Sequence, residues 1–321
     1  MTPMLGFGVV IVSAGLFGML GPLARFAYDA GMQPAAFVAW RALIGLAGVG
    51  AFVVWRIRRA EVELVRPGRL ATRVRLMLLL AAAMGFAVNV SMFVAFDRIT
   101  IALALLGFYT YPAMVALANV LLGRERLDGP RGVALALALA GMIAVVGSQL
   151  DPAAGLRLDV IGLGLALGAA LSQTVYVLIS RDGYREVPTE QVTIVILSGT
   201  VVGASILAIV GGAGPSLADP LRQPSLLPLL LFTGIFAAAI PSLGFLAGIR
   251  AIGGTRAGIL MLVEPVVGVA LAAWLLGESL VPIQLVGAAA ILGAALILQR
   301  TAVRETSGEP GPAALVVPGG P

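Results

Sequence analysis

The sequence contains no cysteine, no histidine and no lysine, and charged residues make up only 12% of its 321 positions. The missing side chains exclude thiol nucleophiles, Cys/His zinc sites, histidine-ligated haem, Ser-His-Asp triads, Schiff-base lysines and P-loop lysines. Disulfides are excluded as well, so cysteine usage indicates no redox compartment. All 21 basic residues are arginines, and we expect no cofactor, no metal site and no catalytic residue.

Long apolar runs dominate the sequence. Hydrophobic residues make up 60% of the chain and its mean hydropathy is +1.03, whereas a soluble domain is about 45–50% apolar and about 25% charged. Because about 20 apolar residues suffice to cross a bilayer, the runs predict an all-α polytopic membrane protein with ten transmembrane helices. Their approximate limits are residues 4–24, 35–55, 76–96, 99–122, 132–149, 160–180, 192–212, 226–248, 255–276 and 281–299.

The arginines are distributed unevenly between the two sides of the predicted bundle. With the N-terminus inside, sixteen arginines lie in the inner loops and tail and four lie in the outer loops. This asymmetry predicts that both termini are cytoplasmic. The net charge of +5 is compatible with nucleic-acid binding, but the arginines form short stretches between spans rather than one basic face. We therefore expect a lipid bilayer, and no nucleic acid, as the partner of these residues.

The chain is similar to itself at an offset of 153 residues. The shift aligns Pro112 with Pro265 and Glu125 with Glu278, so in both copies a mid-span proline is followed 13 residues later by a glutamate. Each copy contains five spans, and because five is odd the second copy enters the membrane inverted. Inverted repeats of this kind can expose a midplane site alternately to each side. We place the first repeat at 1–149, the second at 150–299, and a disordered cytoplasmic tail at 300–321.

Three segments carry a family resemblance: Gln33-Pro34-Ala-Ala-Phe-Val-Ala-Trp-Arg41, Pro112…Leu-Leu-Gly-Arg-Glu125 and Leu262-Val-Glu264-Pro265…Leu-Leu-Gly-Glu278-Ser-Leu. They resemble EamA-type permeases of the drug/metabolite transporter superfamily, and the resemblance covers residues 1–299. It implies two inverted five-helix repeats around a central cavity lined by spans 1–4 and 6–9, with spans 5 and 10 at the periphery. It also implies export of amino acids or related metabolites across a bacterial inner membrane. Span 1 departs from the pattern, because Leu16-Phe17-Gly18 stands where a tryptophan is expected before the glycine.

Two charged residues are predicted inside the spans. Glu264 is the only carboxylate near the middle of a span, where a charge costs about 2.5–3.5 kcal/mol, so we expect it to face the bundle interior. It is the candidate for proton coupling or for binding a substrate ammonium, with a structural, hydrogen-bonded glutamate as the alternative. Arg41 is a candidate for binding a substrate carboxylate or for pairing with Glu264, unless its side chain extends outward to the membrane surface.

Prolines and polar residues mark a candidate site at the repeat interface. Pro112 and Pro265 each remove one backbone hydrogen bond, so we expect kinked helices there, either as hinges on the substrate path or as bends that neighbouring helices satisfy. Glu125 and Glu278, at span ends, are interpreted as structural. The remaining candidate substrate-binding residues, each with an ordinary interhelical hydrogen bond as its alternative, are Asn89, Tyr109, Tyr111, Asn119, Gln173, Tyr176 and Ser242.

These features favour a secondary transporter over an enzyme. We expect it to export a small metabolite, an amino acid or related compound, by alternating access, with proton coupling and a homodimer as open alternatives. A nucleotide-sugar transporter is a second hypothesis, but such anions need several intramembrane cations. A membrane enzyme is a third, but it needs clustered carboxylates or metal ligands. A non-transporting scaffold would not need a glutamate beside a proline in the bilayer core.

Overall fold

The structure is a computed structural model that describes residues 1–99, 101–125, 128–150, 159–276 and 279–307. All regular secondary structure in these ranges is helical, which confirms the predicted fold class. A π-helical segment, Ile235–Ala239, separates α11 from α12. The α-helices are α1 (Pro3–Gly18), α2 (Leu20–Asp29), α3 (Pro34–Arg58), α4 (Thr72–Arg98), α5 (Ile101–Phe108), α6 (Tyr111–Leu121), α7 (Gly129–Gly147), α8 (Val160–Asp182), α9 (Thr189–Val210), α10 (Asp219–Arg222), α11 (Leu227–Gly234), α12 (Ile240–Ile252), α13 (Gly254–Met261), α14 (Val263–Leu276) and α15 (Pro282–Ser307).

The helices build ten segments long and apolar enough to cross a membrane, as the sequence predicts. Six spans are single helices: α3, α4, α7, α8, α9 and α15 form spans 2, 3, 5, 6, 7 and 10. The other four are interrupted. Span 1 consists of α1 and α2, span 4 of α5 and α6, span 8 of α11, the π-helical segment and α12, and span 9 of α13 and α14.

Local capping explains where several helices begin. The Asp128 side chain accepts a hydrogen bond from the Arg131 backbone N–H at 3.0 Å, and Asp159 accepts one from Ile161 at 3.0 Å. These carboxylates satisfy N–H groups that have no partner inside the helix. Pro34 opens α3, where a missing N–H costs nothing. The starts of spans 2, 5 and 6 are therefore determined by short-range chemistry.

The two repeats pack against each other through equivalent helices. Span 1 packs on span 8 through α1 and α12, and the equivalent contact joins span 6 to span 3 through α8 and α4. Each of spans 2, 4 and 5 packs on its equivalent in the second repeat, which is span 7, 9 or 10. The contacts repeat in detail: a Cβ added to Gly6 would lie 2.8 Å from Ile252, and one added to Gly162 would lie 2.7 Å from Ile99. Ile99 and Ile252 are 153 residues apart. This pairing is the arrangement that inverted repeats produce.

The C-terminal end differs from the sequence prediction. Helix α15 continues to Ser307, so residues 300–307, which the sequence assigned to a disordered tail, are helical. The physical reason is that no glycine or proline interrupts the chain between residue 300 and Gly308. The rest of the predicted tail, residues 308–321, and Glu278 lie outside the described residues.

Spans 5 and 10 meet through glycines. A Cβ added to Gly141 would lie 2.5 Å from the Gly287 carbonyl oxygen, and a Cβ added to Gly287 would lie 2.5 Å from the Gly141 carbonyl oxygen. Such close approach of two backbones is how membrane helices associate where no hydrophobic effect drives them together. The side chains of Ile143 and Leu292, in contrast, are exposed at 58% and 49% and face the lipid side.

Gly141→Ala is expected to destabilise the protein by about 1–3 kcal/mol, because the new methyl group meets a backbone oxygen that cannot rotate away. The matched control is Gly132→Ala in the same helix, where nothing lies within 4 Å of the added Cβ. Thermal unfolding of the purified protein in detergent measures both. Equal melting temperatures for the two variants would contradict this packing.

An ion pair joins α4 of the first repeat to α8 of the second. The Arg98 Nη1 atom lies 2.8 Å from the Asp159 carboxylate, which also caps α8. The Arg98 hydrogen bond and, to a smaller extent, the Ile161 backbone N–H hold the pKa of Asp159 below its ordinary value. The charged form of Asp159 is therefore favoured by folding.

Because the pKa of Asp159 is lower in the folded protein than in the unfolded chain, this group stabilises the fold above the unfolded value of about 3.9 and loses its effect as pH falls through the folded pKa. We expect Asp159→Asn to melt at a lower temperature than the wild type at pH 6, with the difference shrinking below about pH 4. Melting curves from pH 6 to pH 3 test this. A constant difference across that range would refute the assignment.

Candidate functional site

A cavity of about 220 Å³ lies at the centre of the bundle, between the two repeats. Spans 1–4 contribute residues from the first repeat and spans 6–9 contribute residues from the second, and no described residue of spans 5 or 10 lines it. The lining residues are Phe17, Leu20, Arg41, Ala42, Gly85, Val88, Asn89, Phe108, Tyr111, Gln173, Tyr176, Thr193, Ile196, Leu197, Thr200, Ala238, Ser242, Phe245, Met261 and Glu264.

Two broken helices meet at this cavity. Helix α5 ends at Phe108 and α6 begins at Tyr111, while α13 ends at Met261 and α14 begins at Val263. Pro112 and Pro265 lie at the starts of the second halves, where a proline fits because its missing N–H has no helical partner to lose. In a continuous helix the carbonyls of Phe108 and Met261 would accept from residues 112 and 265, which are prolines. Phe108 and Met261 both line the cavity. Non-helical backbone at membrane depth is tolerated where it faces such a space.

Glu264 lies in the first turn of α14 and faces the cavity. Its carboxyl group lies near the buried Tyr109 and interacts electrostatically with Tyr109 and with Arg41. Among the described residues that line the cavity, Glu264 supplies the one carboxyl group. The inward orientation predicted from the cost of a charge in lipid is therefore observed.

Arg41 does not extend outward to the membrane surface. Its side chain is buried, with 8% of the residue exposed, and its Nη1 atom donates a hydrogen bond of 2.9 Å to the Ala237 carbonyl of the π-helical segment. Spans 2 and 8 come close together here because glycines lie between them. A Cβ added to Gly45, one turn further along span 2, would lie 3.0 Å from the Gly234 carbonyl oxygen of span 8. The guanidinium therefore points into the bundle at the cavity wall.

The other sequence-predicted residues differ in their position relative to the cavity. Asn89, Tyr111, Gln173, Tyr176 and Ser242 line the cavity together with Arg41 and Glu264. Tyr109 lies behind this wall and reaches the site through Glu264. Pro112 and Pro265 shape the wall without lining it.

Asn119 is outside the candidate site. It is 2% exposed, and its Nδ2 atom donates a hydrogen bond of 3.1 Å to the Thr255 hydroxyl of span 9. The sequence placed it on the same helical face as Pro112, but α6 carries it about two turns away from the cavity. Its role is to join spans 4 and 9, which belong to different repeats.

Sequence reasoning missed two features of the wall. Thr193 and Thr200 line the cavity, and the hydroxyl group of each donates to a carbonyl of its own helix. Pro241 was missed as well, and its position in the middle of span 8 could have indicated the disturbance of the helix that the π-helical segment shows. The threonines have no comparable signal, because polar residues of this type are common on packed membrane helices.

Comparison with known proteins supports the architecture. The model of the EamA-like transporter family matches two stretches of the chain, residues 4–147 and 160–300. The chain belongs to the EamA-like transporter family. It is therefore a membrane transporter of the drug/metabolite type, and its two matched stretches correspond to the two repeats seen in the fold.

Solved structures share the fold of this EamA protein. One of them, titled only "Crystal structure of protein", is 20% identical in sequence and superposes with a TM-score of 0.73. The match covers 94% of this chain and 98% of that chain, so the likeness extends over the whole bundle. No curated protein matches the sequence. The comparisons thus establish the family and the fold.

Asn119→Ala is expected to lower the free energy of unfolding by about 1–3 kcal/mol, because the buried Thr255 hydroxyl loses its donor. Affinity for the transported compound should stay unchanged, since Asn119 does not line the cavity. Asn89→Ala is the matched variant and should weaken substrate affinity, because Asn89 does line it. The melting temperature measures the loss of stability, and the substrate concentration at half-maximal flux measures the loss of affinity. An equal loss of affinity in both variants would show that Asn119 contacts substrate.

Proposed function

We propose that this transporter exports a small metabolite, an amino acid or a related compound, by alternating access. The observation that carries the proposal is the single cavity in which the two repeats bring together Arg41, Glu264 and a largely apolar wall. Its volume of about 220 Å³ lies below the range of about 300–1,000 Å³ that is typical of pockets for drug-sized ligands. The cavity therefore fits a compound with few heavy atoms.

The same cavity argues against a nucleotide sugar as the substrate. A phosphorylated compound of that size needs several cations around its phosphates. Arg41 is the one basic residue among the described residues that line the cavity. An integral-membrane enzyme is disfavoured on similar grounds. Glu264 is the one carboxyl group among the described lining residues, and the sequence has no histidine, cysteine or lysine that could activate a nucleophile or bind a metal beside it.

Ion pairs between the repeats support alternating access. The Glu125 carboxylate, which follows α6, lies 2.6 Å from Arg181 near one end of α8, and Arg98 lies 2.8 Å from Asp159 at the other end. Each pair joins the first repeat to the second on one side of the cavity. In the proposed cycle these connections separate in turn, so that the cavity opens to one side while the opposite side stays closed.

The proposed orientation rests on the charges of the loops, whereas the proposed direction and membrane rest on the likeness to the EamA-like family. Sixteen arginines on one side against four on the other favour an orientation with both termini in the cytoplasm. We place the protein in the cell (inner) membrane, with export as the direction and the proton gradient as the source of energy. Glu264 is the proposed coupling group because it can carry a proton and faces the cavity.

The test is uptake of labelled amino acids and related metabolites into proteoliposomes, with and without a pH gradient. We expect gradient-dependent flux for at least one compound, and we expect Glu264→Gln to lose at least about 90% of the gradient-dependent part because a neutral amide cannot exchange a proton. The control is Glu63→Gln, which makes the same change on an exposed loop residue.

The outcomes separate the parts of the proposal. Flux that survives Glu264→Gln with its gradient dependence intact would remove Glu264 as the coupling group. Absence of flux for every amino acid and related compound would contradict the proposed substrate class. Flux of nucleotide sugars in their place would establish the second hypothesis.

A further inference from the structure

Resting on the proposed function, we propose that Arg41 is the specificity-determining residue for a carboxylate on the substrate, which it binds side-on through its Nε and Nη2 atoms. We further propose that Pro241 is a positioning residue, because it leaves free the backbone carbonyl that holds Arg41 in place. The substrate class that follows is a small monocarboxylate whose remaining atoms meet the apolar wall and Glu264.

The first step of the argument is the hydrogen bond that orients Arg41. In a regular α-helix the Ala237 carbonyl would accept a hydrogen bond from the N–H of residue 241. That residue is Pro241, which has no N–H, and the helix widens into a π-helical segment over Ile235–Ala239. The Ala237 carbonyl, which lacks this regular donor, accepts the Arg41 Nη1–H at 2.9 Å. The proline thus creates the acceptor that fixes the guanidinium.

The second step concerns the Nε and Nη2 atoms of Arg41, which the hydrogen bond to Ala237 does not use. The Nε atom of Arg41 is buried, yet among the described residues it has no hydrogen-bond partner. Leaving a buried, charged donor without an acceptor is costly, so this group needs a partner such as water, an ion or a ligand. The Nε–H and one Nη2–H are parallel, and this edge matches the two oxygens of a carboxylate. Because Nη1 is held by Ala237, the guanidinium is fixed in place, and its Nε/Nη2 edge is the part left for a ligand.

The third step concerns what surrounds this edge. Arg41 lines the central cavity, and apolar side chains of Phe17, Leu20 and Phe245 form other parts of the same wall. Glu264 belongs to the wall as well and interacts electrostatically with Arg41. A zwitterion with an apolar side chain would satisfy each of these surfaces. The cavity volume of about 220 Å³ favours a ligand with few heavy atoms.

The experiment compares binding of three amino acids with binding of their carboxamides. L-alanine, L-valine and L-leucine are each paired with the amide that retains the ammonium and side chain but lacks the carboxylate. Binding to the purified protein in detergent is measured from the rise in melting temperature with ligand concentration. For the wild type we expect at least one acid to bind about 10- to 100-fold more tightly than its amide, as for loss of a charge-assisted hydrogen-bond pair.

Variants assign that preference to the proposed residues. In Arg41→Gln the acid-to-amide ratio should fall to about 1, and Arg41→Lys should be intermediate, because lysine keeps the charge without the planar fork. Arg58→Gln is the control, since it makes the same change on an exposed residue of the same helix. Pro241→Ala restores the N–H and should lower the ratio severalfold while Arg41 is still present. Because Pro241→Ala leaves Arg41 in place, it also keeps the inference testable if the Arg41 variants do not fold.

Three results would overturn the inference: equal binding of acid and amide by the wild type, an unchanged ratio in Arg41→Gln, or no binding of any of the three acids. An unchanged ratio in Pro241→Ala would remove the positioning role of the proline. Failure of the proposed function is distinguishable, because binding is measured without transport. Carboxylate-selective binding without flux would support the proposed binding site and contradict the proposed transport. Flux without a preference for carboxylates would support the proposed transport and contradict the role of Arg41.

Discussion

The structure depends on one constraint: at membrane depth every backbone N–H and carbonyl must find a partner inside the protein. Ten helices meet that requirement over most of the chain, and the exceptions are concentrated at its centre. Pro112, Pro241 and Pro265 each deprive a carbonyl of its regular donor, and all three lie beside the cavity. The irregular backbone is therefore confined to the one place in the bundle where an internal space or a guanidinium can satisfy it.

The inverted repeats determine where that place is. Equivalent helices pack on each other across the bundle, and the breaks in spans 4 and 9 come together because they are equivalent positions of two repeats. The two halves are similar without being identical. Tyr111 occupies in the first repeat the position that Glu264 occupies in the second. The carboxyl group of Glu264 therefore has no acidic equivalent on the opposite side of the wall. An asymmetric ligand needs this kind of difference between halves that are otherwise alike.

The fold could be predicted from the sequence to a large extent, and the site only in part. Span limits follow from the length of apolar runs, and the cavity position follows from the aligned prolines. Glu264 could be identified because an ionised group at that depth is too costly in free energy to face the lipid. The rotation of each helix about its axis could not be read from the sequence, because residues on all sides of these helices are apolar. This is why Asn119 was placed at the site, and why the inward direction of Arg41 stayed open beside the outward one.

The absence of lysine and histidine has an electrical consequence at the cavity. A guanidinium remains protonated at any pH the cell meets, so Arg41 contributes a constant positive charge while Glu264 is the group whose charge can vary. In the proposed coupling, a proton carried across on Glu264 would move one elementary charge through the membrane potential, worth about 2.3 kcal/mol per 100 mV. A single carboxyl group would thus connect this cavity to the voltage across the bilayer as well as to the difference in pH.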